Sequence, residues 1–234
     1  MSEARGQILG AIRRSLKRGP LDEPERAAVA ARLAAHERNL VPARAASLDH
    51  RGQVDLFQRM AEEVQATLVR VTSAAEVPAA VADYLSLHNL PSRLVVTPDP
   101  QLDDIPWSAR PMLEVRRGRA EEADQVGVTA CFAGVAETGT LMLLSGPQSP
   151  TRNNLLPDTH IVVLRREQVA ASYEEGWSRL RAARRGADGS LDLPRTVNFI
   201  TGPSRTADIE QRVEVGVHGP RRLHILLIDD GASS

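Results

Sequence analysis

The chain has 234 residues, of which 42% are hydrophobic and 25% charged, the composition of an ordinary globular protein. Its 29 Lys and Arg residues against 30 Asp and Glu residues leave it nearly neutral, so it lacks the basic excess that would neutralise nucleic-acid phosphates. Aromatic residues make up only 3%, which also argues against a base-stacking surface. We therefore expect no nucleic-acid partner.

The sequence shows no membrane-spanning or export segment. No apolar run approaches the roughly 20 residues of a membrane-spanning helix, and residues 1–7 lack the layout of a signal peptide. We therefore expect no membrane insertion and a cytoplasmic location. Cys131 is the only cysteine, so this chain alone forms no disulfide, zinc knuckle or cysteine-ligated iron–sulfur cluster. No spacing of His, Asp and Glu matches a metal site, and neither a metal nor a cofactor is predicted for this chain.

The first fifty residues are predicted to form a helical extension. Ile8, Leu9 and Ile12 recur at helical spacing within residues 3–16, and a second helix is predicted over residues 25–40. Alanine and arginine dominate this region, which favours helix but offers little bulk for a core. We expect residues 1–50 to pack on the main body, on a neighbouring subunit or on a partner.

Residues 51–234 are predicted to form one α/β domain. Helices over residues 55–67 and 77–88 alternate with strands over 68–71 and 94–97, a pattern typical of a mostly parallel open sheet. Further strands are predicted over residues 113–115, 140–145, 160–164, 197–201 and 223–229, with a helix over 167–185. The small, apolar run of residues 126–135 suits close packing inside that sheet.

Two polar stretches punctuated by glycine adjoin these strands. The first motif, residues 136–140 (AETGT), precedes the apolar run of residues 141–144. The second motif, residues 202–208 (GPSRTAD), follows the apolar run of residues 197–200. Hydroxyls, glycines and a charge at strand ends commonly form the ligand pocket of an open α/β sheet. We therefore predict one pocket built from both motifs.

Both motifs take part in a resemblance to a known family. Four segments occur in the family's order: residues 134–141, 155–161, 200–210 and 216–220. Together they resemble the lactate utilization protein C family, whose unit is the LUD domain. The resemblance implies a fold similar to the group of ribose-5-phosphate isomerase, glucosamine-6-phosphate deaminase and CoA-transferases. It also implies a role in oxidising L-lactate to pyruvate beside two iron–sulfur partner proteins, which would hold the clusters.

Glu137 is the candidate catalytic carboxylate. It is the only acid among small and apolar residues before a strand, where partial desolvation suits a carboxyl to proton transfer or nucleophilic attack. The sequence Glu-Thr-Gly is also similar to the acyl-accepting segment of class I CoA-transferases. The alternative is a structural carboxylate that accepts backbone N–H groups and fixes the turn. Thr138, Gly139 and Thr140 either present hydroxyls and amides to an anion or form that turn.

The second motif is the candidate anion site. It is predicted to open a helix, with Asp208 in the first turn, so that free N–H groups and Arg205 bind a carboxylate or phosphate. The alternative is ordinary capping by Ser204 or Thr206. His218, between two glycines, is a candidate general acid or base, or a loop histidine bonded to backbone. The full set of predicted ligand-binding residues is Thr138, Gly139, Thr140, Gly202, Pro203, Ser204, Arg205, Thr206, Asp208 and Gly219.

Three functions remain open from the sequence. The first is a component of an L-lactate-oxidising system that binds a small anion and works with iron–sulfur partner proteins. The second is a stand-alone CoA-transferase-like or isomerase-like enzyme that uses Glu137. The third is a non-catalytic scaffold. The sequence leaves a homo-oligomer open as well.

Overall fold

The protein is described by a computed structural model that covers residues 3–17, 19–37, 41–209, 212–216 and 218–230, with the backbone alone for 206–209 and 212–215. The chain divides into two compact units, Met1–Leu40 and Val41–Ser234. No helix within the described ranges is long and apolar enough to cross a membrane.

The first unit contains the two predicted helices, α1 (Glu3–Ser15) and α2 (Glu23–Ala35). A capping box starts α2: Asp22 accepts from the Glu25 N–H at 2.8 Å, and the Glu25 carboxylate accepts from the Asp22 N–H at 3.1 Å. The helix ends before His36, whose φ of 45° is left-handed, so α2 stops short of the predicted residue 40. Residues 38–40 lie outside the described part of the chain.

A six-stranded sheet, parallel throughout, forms the centre of the second unit. Its spatial order is β1, β12, β7, β4, β2, β3. The strands are β1 (Thr67–Val71), β2 (Arg93–Val96), β3 (Glu114–Arg117), β4 (Val126–Ala130), β7 (Thr159–Arg165) and β12 (Arg222–Ile228). The predicted α/β class with a mostly parallel central sheet is confirmed.

Both faces of this sheet are buried, as alternation along β7 shows. Ile161 and Val163 point to one face, where they pack in a cluster with α5 (Val77–Leu87). Val162 and Leu164 point to the other face, where they pack with α4 (His50–Glu63). A strand covered on both sides needs apolar residues at every position, which is why the sequence here is a continuous apolar run. A four-residue helix, α3 (Ala43–Ala46), precedes α4.

A second, four-stranded sheet lies on the α4 side and was not predicted. Its order is β8, β5, β6, β9, formed by β5 (Ala133–Val135), β6 (Thr140–Leu144), β8 (Val169–Ala170) and β9 (Val197–Ile200). The β5–β6 and β6–β9 pairs are antiparallel. The strands predicted over residues 140–145 and 197–201 therefore exist but belong to this sheet. The run of residues 126–135 is divided between β4 and β5.

The helix predicted over residues 167–185 is shorter than expected. It is α7 (Tyr173–Ala183), and the residues before it form a 3-10 turn and β8. The Ser172 hydroxyl accepts from the Glu175 N–H at 3.3 Å and starts the helix. Leu180 of α7 packs on Met142, so the helix covers the outer face of the second sheet. Another four-residue helix, α6 (Arg152–Leu155), precedes β7.

The prediction that a helix starts in the second motif is wrong. Residues there form β10 (Arg205–Ile209), which pairs antiparallel with β11 (Arg212–Val215). The sequence Arg-Val-Glu-Val of β11 alternates polar and apolar residues, the period of a strand, and the hairpin supplies the backbone hydrogen bonds that a helix would have made. Asp208 accordingly lies in a strand and not in the first turn of a helix.

Candidate functional site

The second sheet brings the two motifs together. Strand β6 begins with Thr140 of the first motif, and β9 ends just before Thr201 and the second motif. Because β6 and β9 run antiparallel, with Leu141 opposite Ile200, the start of one lies beside the end of the other. The hydroxyl oxygens of Thr140 and Thr201 are 2.7 Å apart. The motifs are therefore neighbours at one end of this sheet.

Four hydroxyls form a cluster at this junction: those of Thr138, Thr140, Tyr173 and Thr201. The Thr140 oxygen lies 2.7 Å from that of Thr138 and 2.9 Å from the Tyr173 hydroxyl. Thr138 also donates to the Tyr173 hydroxyl at 3.1 Å. Thr140 is fully buried, whereas Thr201 is exposed. The hydroxyl cluster thus runs from the core to the surface at the place where the motifs meet.

Glu137 is buried, with 5% of its surface exposed. One carboxylate oxygen, Oε1, accepts from the Tyr173 N–H at 3.0 Å, so the side chain caps the first turn of α7. The other oxygen, Oε2, is buried and has no hydrogen-bond partner among the described residues. Arg44 donates to the Glu137 carbonyl and holds the turn from the other side. This geometry matches the structural interpretation of Glu137, with one oxygen left unused.

Glycines in both motifs press against the end of α4. Gly139 has a φ of 64°, and a Cβ there would lie 2.2 Å from the Ala61 nitrogen. Gly202 has a φ of 74°, and a Cβ there would lie 2.3 Å from the Val64 carbonyl oxygen. Left-handed backbone and close approach both require glycine at these two positions. The two glycines position the motifs against α4, and any ligand contacts come from the residues next to them.

A cavity of about 240 Å³ opens beside the second motif, and we call it the amino-edge cleft. It lies at the amino ends of β7 and β12, whose second residues, His160 and Leu223, line it. The second motif and the loop before β12 supply its polar wall. That wall comprises Thr201, Gly202, Pro203, Ser204, Arg205, His218 and Gly219.

The amino-edge cleft is suited to an anion. Among the lining residues whose side chains the structure describes, Arg205 is the one fully charged residue, and none is an aspartate or glutamate. Arg205 and His218 are both exposed at the mouth. The Ser204 hydroxyl accepts from the His218 N–H at 3.3 Å, and the Ser204 N–H donates to the Pro220 carbonyl at 2.9 Å. These bonds tie the two loops together, so the side chains of Arg205 and His218 share one opening.

His160 forms the buried end of the cleft. Its ring is 0% exposed, and burial lowers its pKa to about 3, so the ring is neutral. Its Nε2 lies 2.8 Å from the Thr129 hydroxyl, whereas Nδ1 has no partner among the described residues. This position makes His160 a structural residue at the base of the cleft.

Several predicted site residues lie away from the cleft. Glu137, Thr138, Gly139 and Thr140 do not line it, and the hydroxyl cluster is their link to it through Thr201. Thr206 and Asp208 lie in β10, and their side chains fall outside the described part of the structure. The sequence analysis missed Tyr173, because a lone tyrosine at a helix start carries no pattern that would assign it to this site.

Cys131 is a core residue. It is buried, and desolvation raises its pKa to about 12. Its thiol donates to the Ala133 carbonyl at 3.1 Å. A cysteine-ligated iron–sulfur cluster needs several thiolates, and this single protonated thiol does not fit one. Among the described residues, no group of three or more His, Cys, Asp and Glu side chains is placed to hold a metal ion.

Comparison with known proteins identifies the family. The family model described as "LUD domain" matches residues 54–228, about three quarters of the chain and all of the elements from α4 to β12 that build the site. The chain belongs to the LUD domain family. The resemblance drawn from the four segments is thereby confirmed.

Named relatives of this LUD domain are bacterial. A "Lactate utilization protein C" of Halalkalibacterium halodurans is 37% identical over 112 residues, which cover 48% of this chain and 47% of the relative. The match thus spans about half the length of that relative. A protein of the same name from Deinococcus radiodurans is 34% identical over 67% of this chain and 70% of its own. The "Uncharacterized protein YkgG" of Escherichia coli is 28% identical over 82% of this chain and 86% of its own length.

A solved structure supports the fold. The crystal structure of a DUF162 family protein from Deinococcus radiodurans is similar to this LUD domain chain with a TM-score of 0.56 and 27% sequence identity. The similarity covers 77% of this chain and 98% of that protein.

Proposed function

We propose that this protein is a component of an L-lactate utilization system that oxidises L-lactate to pyruvate. In this proposal it binds a small carboxylate anion in the amino-edge cleft and acts beside iron–sulfur partner proteins that hold the redox centres. One observation carries the ligand assignment: the cleft contains Arg205 and His218, has no acidic side chain among the lining residues that the structure describes, and is small.

Size and charge together favour a small acid. Pockets for drug-sized ligands have volumes of about 300–1,000 Å³, and the cleft, at about 240 Å³, lies below that range. The guanidinium of Arg205 is matched to a carboxylate, which accepts two parallel hydrogen bonds from it. The hydroxyls of Ser204 and Thr201 are then available to a second oxygen, such as the hydroxyl of lactate or the keto oxygen of pyruvate. A CoA ester would exceed this space.

The system-level part of the proposal rests on relatives. Several proteins similar to this chain are named lactate utilization protein C, and we extend that role to this chain. Electron transfer needs a redox centre, which the single buried Cys131 does not provide. We therefore assign the iron–sulfur clusters to partner proteins, and we place the system in the cytoplasm.

A binding experiment tests the ligand. We expect L-lactate or pyruvate to bind the purified protein, measured by calorimetric titration, and we expect Arg205→Gln to weaken binding by about tenfold or more, because a hydrogen-bonded ion pair is lost. Arg59→Gln is the matched control, since Arg59 is exposed and lines none of the cavities described here. Equal affinity in the Arg205 and Arg59 variants would contradict the assignment of the cleft.

A genetic experiment tests the system. We expect deletion of the gene to abolish growth on L-lactate as sole carbon source, and we expect the tagged protein to co-purify with iron–sulfur proteins. Normal growth of the deletion strain on L-lactate would overturn the proposed role.

One observation supports the alternative that the protein is an enzyme. Glu137 has a buried carboxylate oxygen without a partner among the described residues, a feature that occurs in reactive carboxyls as well as in structural ones. A stand-alone enzyme of the CoA-transferase or isomerase kind, with the fold of that group, would need this oxygen to reach a substrate. The scaffold alternative predicts instead that the assembly survives substitution of both Glu137 and Arg205. The division into a helical extension over residues 1–50 and a LUD domain over 51–234 remains part of the proposal.

A further inference from the structure

The central sheet has a point where its connections leave in opposite directions. Strand β2 leads to β3, which pairs on one side of it, whereas β4 leads onward to β7, which pairs on the other side. β2 and β4 are themselves neighbours. In open α/β sheets a crevice forms outside the carboxyl ends of two such strands, and ligands bind there. The amino-edge cleft lies at the other end of the sheet.

A cavity of about 430 Å³ occupies that crevice, and we call it the carboxyl-edge cavity. Asp99, which follows β2, and Phe132, which follows β4, both line it. The loop after β6, residues 145–149, forms the opposite wall. None of its lining residues is shared with the amino-edge cleft. The volume lies within the range for organic ligands of nucleotide size.

Two polar side chains in this cavity have unused hydrogen-bonding capacity. Asn154 lines the cavity and is only 4% exposed. Its side-chain amide makes no hydrogen bond to a described residue. The Asp99 carboxylate accepts once at each oxygen, from the Ser149 hydroxyl at 2.6 Å and the Gln101 N–H at 3.0 Å. Each carboxylate oxygen has room for a further donor. These groups suit a ligand that offers hydroxyls.

The rest of the lining adds an apolar wall and a cation. Phe132 and Leu144, which pack in the same hydrophobic cluster, supply an aromatic and aliphatic surface against which a flat ring packs. Arg184 lies exposed at the mouth, and no ion pair to it is present within the described ranges. A second cavity of about 460 Å³ continues from the same mouth and includes Arg195. The entrance is therefore suited to a phosphate.

We propose that the carboxyl-edge cavity binds a nucleoside phosphate. Asp99 and Asn154 contact the sugar hydroxyls, the base lies on the wall of Phe132 and Leu144, and Arg184 binds the phosphate. This site is separate from the one proposed for the small carboxylate, and it gives the protein a second ligand whose occupancy is independent of Arg205.

Titration of the full-length protein with AMP tests this proposal. We expect one AMP to bind per chain. We expect adenosine, ribose 5-phosphate and inorganic phosphate each to bind at least about tenfold more weakly, since the first two lack one of the three contacts and phosphate lacks two. Arg184→Gln should weaken AMP binding by about tenfold, as should Asp99→Asn. The matched controls are Arg59→Gln and Asp83→Asn, which change exposed residues outside the cavity.

The same titrations can overturn the proposal. No detectable binding of AMP at millimolar concentration would overturn it, because these polar contacts together should give a dissociation constant below about 1 mM. Inorganic phosphate or ribose 5-phosphate binding as tightly as AMP would remove the role of the apolar wall. If Arg184→Gln leaves both the AMP affinity and the thermal unfolding curve unchanged, Arg184 does not bind the phosphate and the proposal fails.

Discussion

The two motifs have similar compositions but occupy different environments. The turn of residues 136–140 is almost entirely buried, and its polar atoms bond mainly to the protein. The loop of residues 201–205 lies at the surface and lines the amino-edge cleft, with Thr201 and Arg205 exposed. Both are anchored by a left-handed glycine on the end of α4. What separates a structural turn from a binding loop here is therefore burial and not residue type.

The difference assigns distinct roles to the two charges. Glu137 is directed at the amino end of α7, where a negative charge is stabilised by the helix dipole. Arg205 is exposed and lines the amino-edge cleft, so it is placed to contact a ligand there. Substitutions in the first motif should therefore change stability, and substitutions in the second should change binding.

The largest effect is expected for Gly139→Ala. The left-handed φ and the clash of a Cβ with the α4 backbone should lower the free energy of unfolding by about 3 kcal/mol or more, as measured by urea denaturation. Gly146→Ala is the matched control, since no atom lies within 4 Å of a Cβ built there. A small change in Gly139→Ala would contradict the account of the first motif as a fixed turn.

A pH-dependent effect is expected at the buried end of the cleft. The pKa of His160 is lowered to about 3 by burial, whereas an unfolded histidine titrates near 6.5. Below about pH 6.5 the unfolded state therefore binds a proton that the folded state does not, so stability falls as pH decreases toward the folded pKa. The slope is about 1.4 kcal/mol per pH unit for this group.

Urea denaturation between about pH 7 and pH 4 measures that slope. His160→Gln should reduce it while retaining a polar partner for Thr129, and the remaining slope should include His224, whose pKa burial lowers to about 4. His36→Asn, at an exposed position, is the control. A slope unchanged by His160→Gln would show that the ring is not desolvated as described.

The smallest effect on stability in the first motif is expected for Glu137→Gln. The glutamine oxygen still accepts from the Tyr173 N–H, but the amide nitrogen takes the buried place of Oε2, which has no partner among the described residues. That unpaired donor should lower the free energy of unfolding by about 1–3 kcal/mol. Arg205→Gln, at the surface, should change stability by less than about 0.5 kcal/mol. A Glu137→Gln protein that folds normally but loses all lactate-linked activity would instead favour the enzyme alternative.

Sequence patterns predicted the elements better than their arrangement. The continuous apolar runs of β7 and β12 identified the central parallel sheet, because strands covered on both faces are apolar at every position. β6 and β9 also carry short apolar runs, and no local pattern in them distinguishes a second sheet from the first. The second motif was predicted as a helix start because Ser, Thr and Asp occur at helix caps and in strand-flanking turns alike.

The candidate site, like the fold, was predicted from the sequence in its parts but not in their arrangement. By itself the sequence determined the family, the α/β class, the two motifs and the cation at Arg205, since these depend on residue identity and local spacing. Only the tertiary structure decided that Thr140 meets Thr201, that Glu137 caps α7 and that Arg205 shares a cleft with His218. Those contacts join residues far apart in the chain, and their geometry is set by strand pairing and burial, which no local pattern encodes.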